Sequence, residues 1–105
     1  MNPKKFVLGL ALLILISGCI GQEETCTKKD SGEKMTFTEA KKIAQSSDCV
    51  KEGGLKSSHF CNEYTGTWWI DLDIQMEGCN PACVVDVSTG QAEINWRCTG
   101  LLPTG

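Results

Sequence analysis

The sequence predicts a small α+β fold: one N-terminal helix packed on a three- to four-stranded antiparallel sheet, stapled by disulfides. Three observations predict it. A helical repeat starts at Thr36, strand-like alternation starts at Thr67, and six cysteines lie beyond residue 25. The 105 residues allow one small domain, too little chain for a dinucleotide-binding domain with a partner domain, or for a (β/α)₈ barrel.

The helix comes first. Thr36 and Glu39 fit a capping box, in which side chains at the first turn satisfy exposed backbone N–H groups. Phe37, Ala40, Ile43, Ala44 and Ser47 then recur at helical spacing, with Lys41, Lys42 and Gln45 on the other side. The helix should end near Cys49, before Gly53-Gly54. Leu55 to Asn62 is ambiguous and holds at most a short strand ending at Cys61, followed by a turn at Glu63 to Gly66. Thr67 to Ile74 reads as the clearest strand. Trp68, Ile70, Leu72 and Ile74 form an apolar face, and Trp69, Asp71, Asp73 and Gln75 the opposite one. Ala82 to Val87 and Ala92 to Cys98 are the next two strands, joined as a hairpin. With Thr89-Gly90 as the two central residues, Val87 faces Ala92, Val85 faces Ile94, and Cys83 faces Trp96. That register opposes Asp86 to Glu93, a like-charge pair that a cation, a basic partner, Arg97 or water would relieve.

The start of the chain reads as an address. Lys4 and Lys5 precede an uncharged apolar run of 11 residues, Phe6 to Ile16, within the range of a secretory signal and short of the ~20 residues of a membrane-spanning helix. Ile16-Ser17-Gly18-Cys19 resembles a lipobox, the lipoprotein signal motif. The resemblance implies a signal peptide over residues 1–18 and Cys19 as the lipidated residue. One acyl chain, such as palmitate, is a marginal anchor at ~0.8 kcal/mol per buried CH₂, so a stable hold calls for a diacyl or diether group. The domain would then sit on the cell membrane, facing outside the cytoplasm.

Removing residues 1–18 leaves 8 basic and 13 acidic side chains. An acidic domain is a poor nucleic-acid binder and is repelled by anionic headgroups, so residues 19–35 read as a polar tether and 36–105 as the domain. With Cys19 set aside, Cys26, Cys49, Cys61, Cys79, Cys83 and Cys98 form an even set in a compartment that permits disulfides. Six cysteines allow 15 pairings. The hairpin register places Cys98 near both Cys79 and Cys83, so a bridge from Cys98 to one of the two is favoured. The set contains no Cys-x-x-Cys, so neither a zinc ribbon nor a thioredoxin-like redox motif is expected.

The helix Thr38-Glu39-Ala40-Lys41-Lys42-Ile43-Ala44 and the segment Ala82-Cys83-Val84-Val85-Asp86-Val87-Ser88-Thr89-Gly90-Gln91-Ala92-Glu93-Ile94 resemble a PepSY domain. The likeness spans about residues 36–97. The six cysteines, Trp68-Trp69 and the corner Gly78 to Cys83 depart from that pattern. The resemblance implies an extracytoplasmic module that binds or restrains a partner, in some family members a peptidase.

Catalysis is not expected. His59 and Cys61 would share a strand face, which would suit a nucleophile and its base only if Cys61 were free, and no hydrolase, zinc-protease or phosphate-loop motif is present. No cofactor or metal is expected. The candidate partner-binding residues are Trp69, Asp71, Asp73, Asn95 and Arg97, because all fall on the polar sheet face and Trp and Arg are enriched at binding hot spots. Trp69 is either exposed there or covered by the helix end, the 55–62 segment or a bridge. The function expected is recognition of a peptide or protein. The alternatives are a thiol or metal protein using Cys61, Cys79 and Cys83, or a purely structural surface lipoprotein.

Overall fold

A computed structural model describes residues 23–99. The expected signal peptide, Cys19 and residues 100–105 lie outside the described residues. The elements in chain order are β1 (Thr25–Thr27), β2 (Lys34–Thr36), α1 (Phe37–Gln45), a 3₁₀ turn (Asp48–Lys51), β3 (Leu55–Asn62), β4 (Thr67–Leu72), β5 (Ala82–Asp86) and β6 (Ala92–Asn95). β1 and β2 form an antiparallel ribbon, and the other four strands form one antiparallel sheet in the order β3-β4-β5-β6. The class is α+β, and among the described residues no helix is long and apolar enough to cross a membrane.

The helix is not the first element, which corrects the N-terminal placement expected above. From residue 25 the polar stretch ahead of it folds into the ribbon. Cys26 and Met35, paired across the two strands, are buried, and Cys26 is bridged to Cys61 of β3. Two buried side chains among polar neighbours leave no periodic signal in strands of three residues, which is why composition hides them.

The ribbon also caps α1. The Thr36 hydroxyl accepts from the Glu39 N–H, as the capping box requires. The Phe37 N–H goes to the Glu24 carbonyl and the Thr38 N–H to the Glu23 carboxylate. A carboxylate here also meets the positive end of the helix dipole. α1 ends at Gln45, short of the expected Cys49. Ser47 stops it by donating to the Ala44 carbonyl and accepting from the Cys49 N–H, which starts the 3₁₀ turn.

The core lies between α1 and one face of the sheet. Ala40 and Ala44 let the helix approach Trp68, Ile70 and Leu72 of β4 and Cys83 and Val85 of β5, all buried. Three disulfides close it: Cys26–Cys61, Cys49–Cys83 and Cys79–Cys98, the last being one of the two favoured pairings. They span 35, 34 and 19 residues, so chain entropy assigns each roughly 3–4 kcal/mol. A domain of this size is marginal without such staples.

Both long hairpins use the same loop. Asn62 and Asp86 accept from two backbone N–H groups of their own turns: Tyr64 and Thr65 for the first, Ser88 and Thr89 for the second. Four residues later, Gly66 and Gly90 take φ of 69° and 77° and return an N–H to the Asn62 and Asp86 carbonyls. The second loop is therefore four residues, 87–90, not the two centred on Thr89-Gly90. Val85 pairs with Ala92, Cys83 with Ile94, and Val84 with Glu93. The slip of two residues changes every partner and preserves every face, because side chains alternate with period two. Asp86 and Glu93 are thus not opposed, and the expected like-charge pair does not form.

Candidate functional site

The sheet face turned away from α1 carries the candidate site. The register aligns Phe60, Trp69, Val84 and Glu93 across all four strands in one row. In the next row Asp71, Ala82 and Asn95 align, and Ser58 reaches Asp71 from β3. Phe60 is 48% exposed and Trp69 is half-buried. The Phe60 and Trp69 rings stack at 5.8 Å between centroids and 14° between planes. The Arg97 guanidinium lies 5.8 Å from the Trp69 centroid. Two rings and a planar cation therefore form a ladder across the sheet, with the cation against the negative face of the indole.

The ladder is held from its polar side. Arg97 Nη2 donates to Asp71 Oδ1 at 2.6 Å, and Arg97 Nε donates to the Asn80 carbonyl. Ser58 Oγ donates to the other Asp71 oxygen at 2.6 Å. Trp69 Nε1 donates to Thr67 Oγ1 at 2.8 Å, which fixes the indole on its own strand. Partial burial pushes the Asp71 carboxyl up. The hydrogen bonds from Ser58 and Arg97 outweigh that, with the Arg97 and Lys56 charges, and hold it below the ordinary aspartate range.

Arg97 sits at φ 45°, the left-handed region that a side chain adopts at a cost. Three contacts impose it: Asn95 Oδ1 accepts the Arg97 N–H at 2.9 Å, and the guanidinium is tied to Asn80 and Asp71. The Cys79–Cys98 bridge clamps the next residue, and the Thr99 N–H donates to the Gly78 carbonyl. Such a backbone outlier persists only where the surrounding structure over-determines it.

Of the five residues expected in the site, Trp69, Asp71, Asn95 and Arg97 come together. Asp73 does not. It lies one residue beyond the end of β4 and is exposed; its N–H donates to the Gly54 carbonyl, the last rung of the β3–β4 pairing, and its side chain joins none of the contacts described above. Phe60, Ser58 and the Asn80 carbonyl join the site unforeseen. Alternation of Ser58 and Phe60 with His59 and Cys61 is the signal for the first two. The bulge between Leu55 and His59 breaks that alternation one turn of the pleat earlier.

The alternative thiol chemistry has no free sulfur to work with, since Cys61, Cys79 and Cys83 are all bridged. His59 faces the core side, where Phe37 stacks on it at 3.8 Å and its Nε2 lies 2.7 Å from Glu24 Oε1. It thereby ties the segment before β1 to the sheet. Among the described residues no group of three or more His, Cys, Asp or Glu side chains is placed to hold a metal ion.

No family model, curated protein or solved structure matches the chain.

Proposed function

We propose that the chain is an extracytoplasmic, lipid-anchored module that binds or inhibits a peptide or protein at the cell surface. The observation that carries this reading is the Phe60–Trp69–Arg97 ladder on the sheet face opposite the core. Aromatic and guanidinium groups held rigid before a partner arrives lose little freedom on binding, and such groups dominate interface energies. Asp71 fixes the cation, Asn95 fixes the backbone that presents it, and Phe60 offers the exposed end. Three disulfides suit an oxidising compartment. The lipobox-like Ile16 to Cys19 supports the anchor, and the PepSY-like helix and hairpin support restraint of a partner as the mode of action.

Two measurements test this. The intact mass of membrane-derived protein should start at Cys19 with lipid attached, with no alkylation before reduction and six alkylated thiols after it. A chain that retains residues 1–18 refutes the anchor. Trp69→Ala should abolish capture of the surface partner while the oxidised domain stays folded. Unchanged capture, or loss of the fold, refutes the site.

A further inference from the structure

We propose that β6 is the docking edge for an extended peptide that pairs as a fifth strand and carries alternating apolar and basic residues. This rests on the peptide-binding reading above and names how the partner is held. The two sheet edges differ. On β3 the edge is blunted: the strand is bulged between Leu55 and His59, the Ser57 carbonyl lies 2.6 Å from His59 Nδ1, and Cys61 is bridged to the ribbon. Such devices are how an edge is kept from pairing with other chains. β6, Ala92-Glu93-Ile94-Asn95, has no proline, lysine or bulge.

The hydrogen-bond pattern says which β6 groups are on offer. The Asp86 N–H donates to the Gln91 carbonyl, Val85 pairs with Ala92 and Cys83 with Ile94, and beyond β6 the Asn80 N–H is shared between the Trp96 carbonyl at 3.0 Å and the Arg97 carbonyl at 3.3 Å. The alternation of an antiparallel ladder then turns Gln91, Glu93 and Asn95 toward β5, and points the N–H and C=O of Ala92 and Ile94 away from the sheet. Beside that edge is a cleft of about 700 Å³ between α1 and the end of the hairpin. Ile43 and Ala92 give it apolar walls, and Thr38, Glu39, Lys42 and Ser46 are among its polar lining. An added strand would put its inward side chain opposite Ala92 beside this cleft, the one opposite Ile94 next to the 3₁₀ turn that packs against β6, and its outward ones beside Glu93, on the same face as the Arg97 ladder. Main-chain pairing supplies affinity in this mode, and alternate side chains supply specificity.

Charge selects the occupant. Glu93 is exposed at the edge, and residues 23–99 carry 13 acidic and 8 basic side chains. A basic residue opposite Glu93 is favoured. A second copy of this chain is disfavoured, because the register that uses both Ala92 and Ile94 puts Glu93 against Glu93. The partner strand is therefore apolar–basic–apolar over the three central positions.

The test uses the full chain in its oxidised form with two synthetic peptides, acetylated and amidated Lys-Val-Lys-Val-Lys and Glu-Val-Glu-Val-Glu. Amide NMR shifts and hydrogen exchange are read on the protein. The lysine peptide should shift and protect the Ala92 and Ile94 amides, and the glutamate peptide should bind at least about tenfold more weakly, the equivalent of one charge-assisted contact. Ala92→Pro removes an outward N–H without touching the β5 ladder, so it should leave the spectrum folded and weaken the lysine peptide about tenfold. Equal binding of the two peptides, or no protection at Ala92 and Ile94, overturns the proposal. Shifts confined to Phe60 and Trp69 also overturn it but leave the outer-face reading standing. That reading falls separately, if Trp69→Ala leaves partner capture unchanged. Should Ala92→Pro unfold the domain, Glu93→Lys takes its place. It should reverse the preference between the two peptides, and an unreversed preference overturns the proposal.

Discussion

Trp68 and Trp69 are chain neighbours that the pleat sends to opposite faces of one sheet. Trp68 is 2% exposed, donates its indole N–H to the Met35 carbonyl at 2.9 Å, and meets Phe37 edge-on in the core. Trp69 is half-buried, and its neighbours are a second ring and a guanidinium tied to a carboxylate. The first belongs to the core that the helix, the ribbon and the disulfides enclose. The second is surrounded by groups that orient it. On the proposed function, the contrast separates a residue kept for the fold from one placed for contact, on adjacent positions of the same strand.

Mutations should split along that line. Trp68→Ala should have the largest effect, a loss of about 3–5 kcal/mol in denaturant unfolding, because it leaves a cavity and strands the Met35 carbonyl. Removing the Cys49–Cys83 bridge by Cys49→Ala with Cys83→Ala should cost about 2–4 kcal/mol in the same measurement, since it frees a long loop from the core side. Trp69→Ala should cost only about 1 kcal/mol of stability, the worth of a ring pair and a cation–π contact. Equal losses for the two tryptophans would erase the distinction.

Asp71 sharpens it further. Its carboxyl is held below the ordinary range although burial pushes the other way, so its contribution is complete above the unfolded pKa and disappears as pH falls through the folded one. Asp71→Asn should therefore flatten part of the acid limb of stability below about pH 4. In the same variant Arg97 loses its charged partner and the Trp69 fluorescence should change at neutral pH. An unchanged acid limb would mean that the ion pair is not what holds Arg97.

The split between the faces is legible in the sequence because Trp68, Ile70 and Leu72 alternate with Trp69 and Asp71 without interruption. The helix is legible from Thr36, Glu39 and the alanines that pack. The ribbon is not. Strands of three residues cannot display a period, and the ribbon's cysteine pairs with a position 35 residues away. The hairpin register is misleading, because Thr89-Gly90 suggests a two-residue turn. The residue that decides the loop is Asp86 four residues before Gly90, a device repeated by Asn62 before Gly66. The polar half of the site survives that error because an even slip keeps faces. Phe60 escapes notice because a bulge interrupts its strand, and Asp73 looks like a site residue because alternation alone does not show where a strand stops.

The central claim is that the outer face is built for contact and contributes little to folding. The most direct test is one experiment on two matched proteins, the oxidised wild-type chain and Trp69→Ala, each measured for its unfolding midpoint and for capture of its surface partner. The account predicts midpoints that differ slightly and capture that is lost. A folded variant that captures as well as the wild type, or one that does not fold, would contradict it.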